Sequence, residues 1–205
     1  MKETQNQLRE SLAREQHLKK VLTGIRKVNQ LITREHDPAE LTRQACENLT
    51  QSLGYFHAWI ALVDQEGRVT ATGTSCKEYD EKIRRQWTQK SSLPPCMQQA
   101  LKTRRLIIYE EMPENCGDCP LSDPHSGRAA LIYVLEHNDI IYGVLNVSAP
   151  SAFAGNPEEQ ELFQEVARDL GFALYNIEAE QKKHISEQKL KERIKELSCI
   201  SAVSK

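Results

Sequence analysis

The chain has 205 residues and a formal charge of −2, with 27 Lys and Arg against 29 Asp and Glu, so neither a basic field for nucleic acid nor an acidic tail for a basic partner is present. That length holds one domain of ordinary size with flanking elements. The apolar runs fall well short of the roughly 20 residues that cross a bilayer, and the polar start MKETQNQLRE is not a signal peptide, so a cytoplasmic protein with no membrane segment is expected.

Up to about Arg34 the pattern is helical. Leu18, Val21, Ile25, Val28 and Ile32 alternate by three and four residues, a heptad seam among Lys, Arg, Glu and Gln. One apolar stripe on a charged helix calls for a second helix, and a dimer mate is the expected partner because a single domain offers none. The repeat weakens to Leu8 and Leu12 before that. Residues 1–36 are therefore read as an N-terminal signalling helix.

At His36-Asp37-Pro38 the chain breaks and restarts, with Asp37 as cap and Pro38 in the first helical position. Leu41, Ala45, Cys46, Leu49 and Leu53 then share a face, which makes Cys46 a small core residue. Gly54 ends that helix. His57 to Val63 and Arg68 to Thr74 read as strands joined through Asp64-Gln65-Glu66-Gly67, a hairpin.

Ser75 to Lys90 is a helix carrying Tyr79, Ile83 and Trp87 on one side, with Trp87 a core anchor. Pro94-Pro95-Cys96 opens a short helix from Met97 to Thr103, and Leu106 to Tyr109 is a third strand. Glu110 to Arg128 is the longest irregular stretch and holds Cys116-Gly117-Asp118-Cys119; a loop that long inside a domain is usually functional or mobile.

Ala129 to Leu135 and Ile140 to Ser148 form a second hairpin around the turn Asn138-Asp139, with Gly143 at a place where a side chain would block packing. A connector of small residues from Pro150 to Pro157 leads to a long helix that carries Leu162, Val166, Leu170, Ala173, Leu174 and Ile177 inward and continues through Ile185, Leu190, Ile194 and Leu197. It outruns one domain, so residues 181–205 read as a C-terminal linker helix in coiled coil. The order of hairpin, connector and long helix points to a sensor-type module.

The element order, together with IYGVLNVSAPSAFAGNPEEQELFQEVARDLGFAL, resembles a GAF domain over residues 37–180. That resemblance implies an α+β fold, an antiparallel sheet of about five to six strands sandwiched by helices, with a small-molecule pocket between the sheet and its covering helix and loop. The tail LKERIKELSCISAVSK resembles the linker helix of bacterial sensor histidine kinases and related multi-domain regulators. The expected protein is a cytoplasmic sensor, dimeric through its flanking helices, without catalysis of its own, in a two-component or similar signal-transduction pathway whose kinase or other output lies outside this chain.

Six cysteines in a reducing compartment read as thiols, metal ligands or redox groups rather than structural disulfides. Cys116 and Cys119 have the C-x-x-C spacing that lets two thiolates reach one metal. Cys96 stands at a helix start, where the dipole favours a thiolate, and Cys76 follows a strand directly. The GAF-like arrangement implies that Cys76, Cys96, Cys116 and Cys119 lie on one side of the sheet, a set that suits tetrahedral Zn²⁺ or a [4Fe–4S] cluster, with His125 as a substitute for Cys76. A reversible thiol switch and separate reduced thiols stay open. Free methionine sulfoxide reductases are GAF proteins with pocket cysteines, so a thiol oxidoreductase is the alternative class; no Cys-His pair suggests a covalent bilin.

Overall fold

The computed structural model describes residues 23–89, 93–110 and 128–203. Helix α1 occupies 23–34. It is followed by α2 (Pro38–Leu53), β1 (His57–Val63), β2 (Val69–Thr74), α3 (Lys77–Gln89), α4 (Pro95–Thr103), β3 (Ile107–Tyr109), β4 (Arg128–His137), β5 (Ile140–Pro150), α5 (Ser151–Ala154) and α6 (Pro157–Val203). The five strands form one antiparallel sheet in the order β2-β1-β5-β4-β3, within the expected range of five to six.

The boundaries follow from local chemistry. Asp37 caps α2 by accepting from the Ala39 and Glu40 N–H groups at 2.7 and 3.0 Å, and Gly54 ends it in the left-handed region at φ 77°. Asn138 and Asp139 both take positive φ, 49° and 63°, which twists the β4–β5 turn in the same sense as its strands. Between β5 and β1 the backbones run so close that a Cβ on Gly143 would stand 2.3 Å from the Ala61 carbonyl oxygen. The small-residue connector is largely strand and helix: β5 runs on to Pro150 and α5 follows at once.

Helices cover both faces, as expected of the sandwich. Alternate residues of β1 divide between two cores: Ala58, Ile60 and Leu62 join α1, α2, α5 and α6, whereas Trp59 and Ala61 join Ile83 and Trp87 of α3 and Met97 and Ala100 of α4. The six inward residues of the long helix, Leu162 to Ile177, are all buried. From Gln181 to Lys195 every residue of the helix is exposed, with Ile185, Leu190 and Ile194 more than half so.

One expectation is corrected. The N-terminal stripe does have a partner within its own domain: Val28 is buried in the core, Ile25 and Ile32 pack against it, and Leu31, outside the stripe, is buried there too. A stripe at helical spacing says only that something apolar lies alongside. Here it is the domain itself. Leu18 and Val21 lie outside the described residues.

Candidate functional site: the polar end of the α3/α4 face

Strand alternation sets the residues that look toward α3 and α4. Trp59 pairs with Thr74 on one side and Asn146 on the other, and His57 pairs with Ser148, so all five share the face of Trp59. Across β4 the same face continues as Ala130, Ile132 and Val134, and across β3 as Ile107 and Tyr109. Its middle is apolar, filled by Trp87 packed on Trp59 at a centroid distance of 4.7 Å, with Ile83, Met97 and Ala100 around them. Its far end, where β1 begins and β2 and β5 end, is polar.

His57 anchors that end. Its Nε2 lies 2.9 Å from the Thr74 hydroxyl and its ring meets Tyr79 of α3 edge-on at 5.7 Å. Burial pushes the imidazole down to about 4, because a positive ring would lose its water shell here. His57 is therefore neutral at pH 7. Beside it Ser75 accepts from the Ala58 N–H at 3.0 Å, and Asn146 and Ser148 are half-buried in an otherwise buried stretch of β5. On the α4 side the Tyr109 hydroxyl donates to Gln99 at 2.7 Å. Two more polar atoms, Trp87 Nε1 and Thr72 Oγ1, are buried with no hydrogen-bond partner among the described residues. These groups are neutral donors and acceptors, while Arg128, two residues before Ala130 on β4, adds a guanidinium at the same end, 4.3 Å over the Phe56 ring.

The cysteines divide between the two layers. Cys96 is buried in the first turn of α4, in the same apolar cluster as Trp87 and Met97. Cys76 is half-buried at the β2–α3 junction, where its N–H donates to the Thr74 hydroxyl at 3.2 Å. These two come to the α3/α4 layer. Cys46 does not: it is fully buried on the opposite face, its Sγ 3.5 Å from the Gly73 carbonyl oxygen, and burial drives the thiol far up from its ordinary value. It is the small core residue its helical spacing suggests. Cys116, Cys119 and His125 lie outside the described residues; Tyr109 and Arg128, which are described, stand beside the polar end.

Among the described residues no three His, Cys, Asp or Glu side chains stand together as metal ligands. A zinc or iron–sulfur site built on Cys76 and Cys96 would thus need further thiolates from the 111–127 segment. The donor set fits such a group in kind, since zinc and iron–sulfur centres both take soft thiolates.

His57 and Asn146 were not singled out by sequence. The signal was there in period two: a histidine two residues before a core tryptophan in HAWIALV, and an asparagine inside the apolar strand IIYGVLNVS.

The family model of the GAF domain matches residues 35–174, and the chain belongs to that family. Among solved structures the fold is similar to the GAF domain of a phosphoenolpyruvate-protein phosphotransferase from Coxiella burnetii, at 12% identity and a TM-score of 0.60, over 79% of this chain and 96% of that one. It is similar also to the GAF domain of a putative sensor histidine kinase from Pseudomonas syringae pv. tomato, at 17% identity and a TM-score of 0.51, over 85% and 97%. A free methionine-R-sulfoxide reductase from Neisseria meningitidis, in complex with its substrate, is similar at 14% identity and a TM-score of 0.51, over 80% and 93%. At these identities the likeness is one of fold. No curated protein matches the sequence.

Proposed function

We propose that this GAF domain is the cytoplasmic sensory module of a multi-domain signalling protein, with a histidine kinase as the output that its linker-like tail best suits. The observation that carries the reading is α6: one helix of 47 residues whose first half is core and whose second half leaves the domain. A helix anchored in a ligand-binding core and extended past it transmits a change of packing along its length. Two such helices side by side form a homodimer. What is sensed acts at the polar end of the α3/α4 face, either as a small ligand or as Zn²⁺ or an iron–sulfur cluster held by Cys76, Cys96, Cys116 and Cys119.

A thiol oxidoreductase of the free methionine sulfoxide reductase type is the second reading, favoured by Cys76 and Cys96 standing on one layer. One preparation separates the two. Protein purified without oxygen is analysed for zinc, iron and visible absorbance, then assayed for reduction of free methionine sulfoxide with a thiol reductant. Stoichiometric metal, or none, with no turnover supports the sensor. Turnover that disappears with Cys96→Ser replaces it with the enzyme.

A further inference from the structure

The ligand face and the signalling helix lie on opposite sides of the sheet, so a sensor of this build needs an element that touches both. Glu136, near the end of β4, does. Its side chain reaches the α4 side: Oε2 is buried, makes no hydrogen bond among the described residues, and has the Arg104 guanidinium at 3.6 Å. Arg104 is the residue that ends α4, in the left-handed region at φ 52°, and its N–H donates to the Ala100 carbonyl. The same guanidinium lies 3.9 Å from Asp139 in the β4–β5 turn. The C-terminal end of α4 is thereby tied to the tip of the hairpin, while its N-terminal end carries Cys96.

The backbone of Glu136 faces the other way, onto α6. A Cβ on Gly171 would come within 2.6 Å of the Glu136 carbonyl oxygen and 2.7 Å of its nitrogen, so helix and strand touch backbone to backbone. The next residue extends the contact: the His137 ring sits 5.0 Å from Phe172 and 4.9 Å from Tyr175. A turn further along, the Tyr142 hydroxyl donates to Glu178 at 3.1 Å. These contacts end where α6 leaves the domain.

We infer that Glu136 is the relay between the α3/α4 face and α6. A ligand or thiol change that tilts α4 shifts Arg104, and the part-buried Glu136 carboxylate, whose Oε2 has no hydrogen bond among the described residues to hold it in place, follows its cation. Glu136 then moves the strand end, and Gly171 leaves no slack between strand and helix. The fit is tight where Gly171 meets Glu136, so a movement of the strand end is passed on to α6 rather than absorbed.

The inference rests on α6 being the output, but its test needs neither ligand nor output module and can fail while that reading stands. Hydrogen exchange is followed by peptide in the full chain and in Arg104→Gln, Glu136→Gln and the double variant. Arg104→Gln is expected to speed exchange tenfold or more in residues 171–178, with α2 and β1 unchanged. The double variant, which leaves no Glu136 carboxylate without its cation, should return those residues toward the wild-type rate. Coupling also runs both ways. Gly171→Ala should therefore change the rate at which iodoacetamide labels Cys96, read by mass spectrometry, by threefold or more. Exchange that changes only in α4 and the β4–β5 turn overturns the relay. So does a uniform rise across the chain that the double variant does not reverse, or a Cys96 rate indifferent to Gly171→Ala.

Discussion

At the scale of single residues the strongest constraints are close approaches and buried titratable groups. Gly143 has no space for a methyl group, because its would-be contact is backbone, the Ala61 carbonyl, at 2.3 Å in the centre of the sheet. Gly143→Ala should cost about 3 kcal/mol, read as a lower urea midpoint with little change in slope. His57 gives a pH signature of definite sign. The folded ring takes a proton only near pH 4, whereas the unfolded one takes it at about 6.5. The unfolded state thus binds the extra proton between those values, so stability is full above pH 6.5 and falls toward pH 4, by up to about 3 kcal/mol from this group. Urea titrations from pH 7 to 4 should show a shallower fall in His57→Asn. The cysteines have their own control: if Cys116 and Cys119 share a metal, Cys119→Ser should remove most of it while Cys46→Ser and Cys199→Ser leave metal content unchanged. Cys46 is an apt control because the sheet separates it from the α3/α4 layer.

At the scale of elements, what could be read from sequence was what neighbours in the chain decide. Asp37 with Pro38, the Gly54 stop and the Asn138-Asp139 turn are local chemistry, and the structure has each in its expected role. The α2 cap is simple to check. Asp37→Ala removes the acceptor of two N–H groups and should cost about 1 kcal/mol by thermal or urea unfolding, with the same fold by circular dichroism. What could not be read was which long-range surface an apolar stripe meets. Val28 and Leu31 obey the helical spacing equally well against a dimer mate or against the domain, and periodicity carries no information about which. The polar end of the α3/α4 face was hidden for a related reason. His57, Thr74, Asn146 and Ser148 come from three strands, and only the register sets them side by side.

At the scale of the whole molecule, α6 joins a buried half to an exposed one, and the two halves predict different behaviour. Residues up to Ile177 hold the domain together, so substitutions there should unfold it. Past Glu180 the helix has no domain to cover it, yet Ile185 is 52% and Leu190 62% exposed on an otherwise charged surface. Apolar side chains left in water on a long helix gain about 1.5 to 3 kcal/mol each when a second helix covers them. Because α1 belongs to the core, removing the chain before Pro38 would damage the domain and confuse the result; the far half of α6 is the place to test. Ile185→Lys with Leu190→Lys should weaken self-association on the order of 100-fold, seen by light scattering across a dilution series. The unfolding midpoint of the monomer, measured at low concentration, should stay unchanged, since neither side chain touches the core. A parent chain that stays monomeric across the series, or a double variant that associates as tightly as the parent, would leave the exposed end of α6 with no role in association.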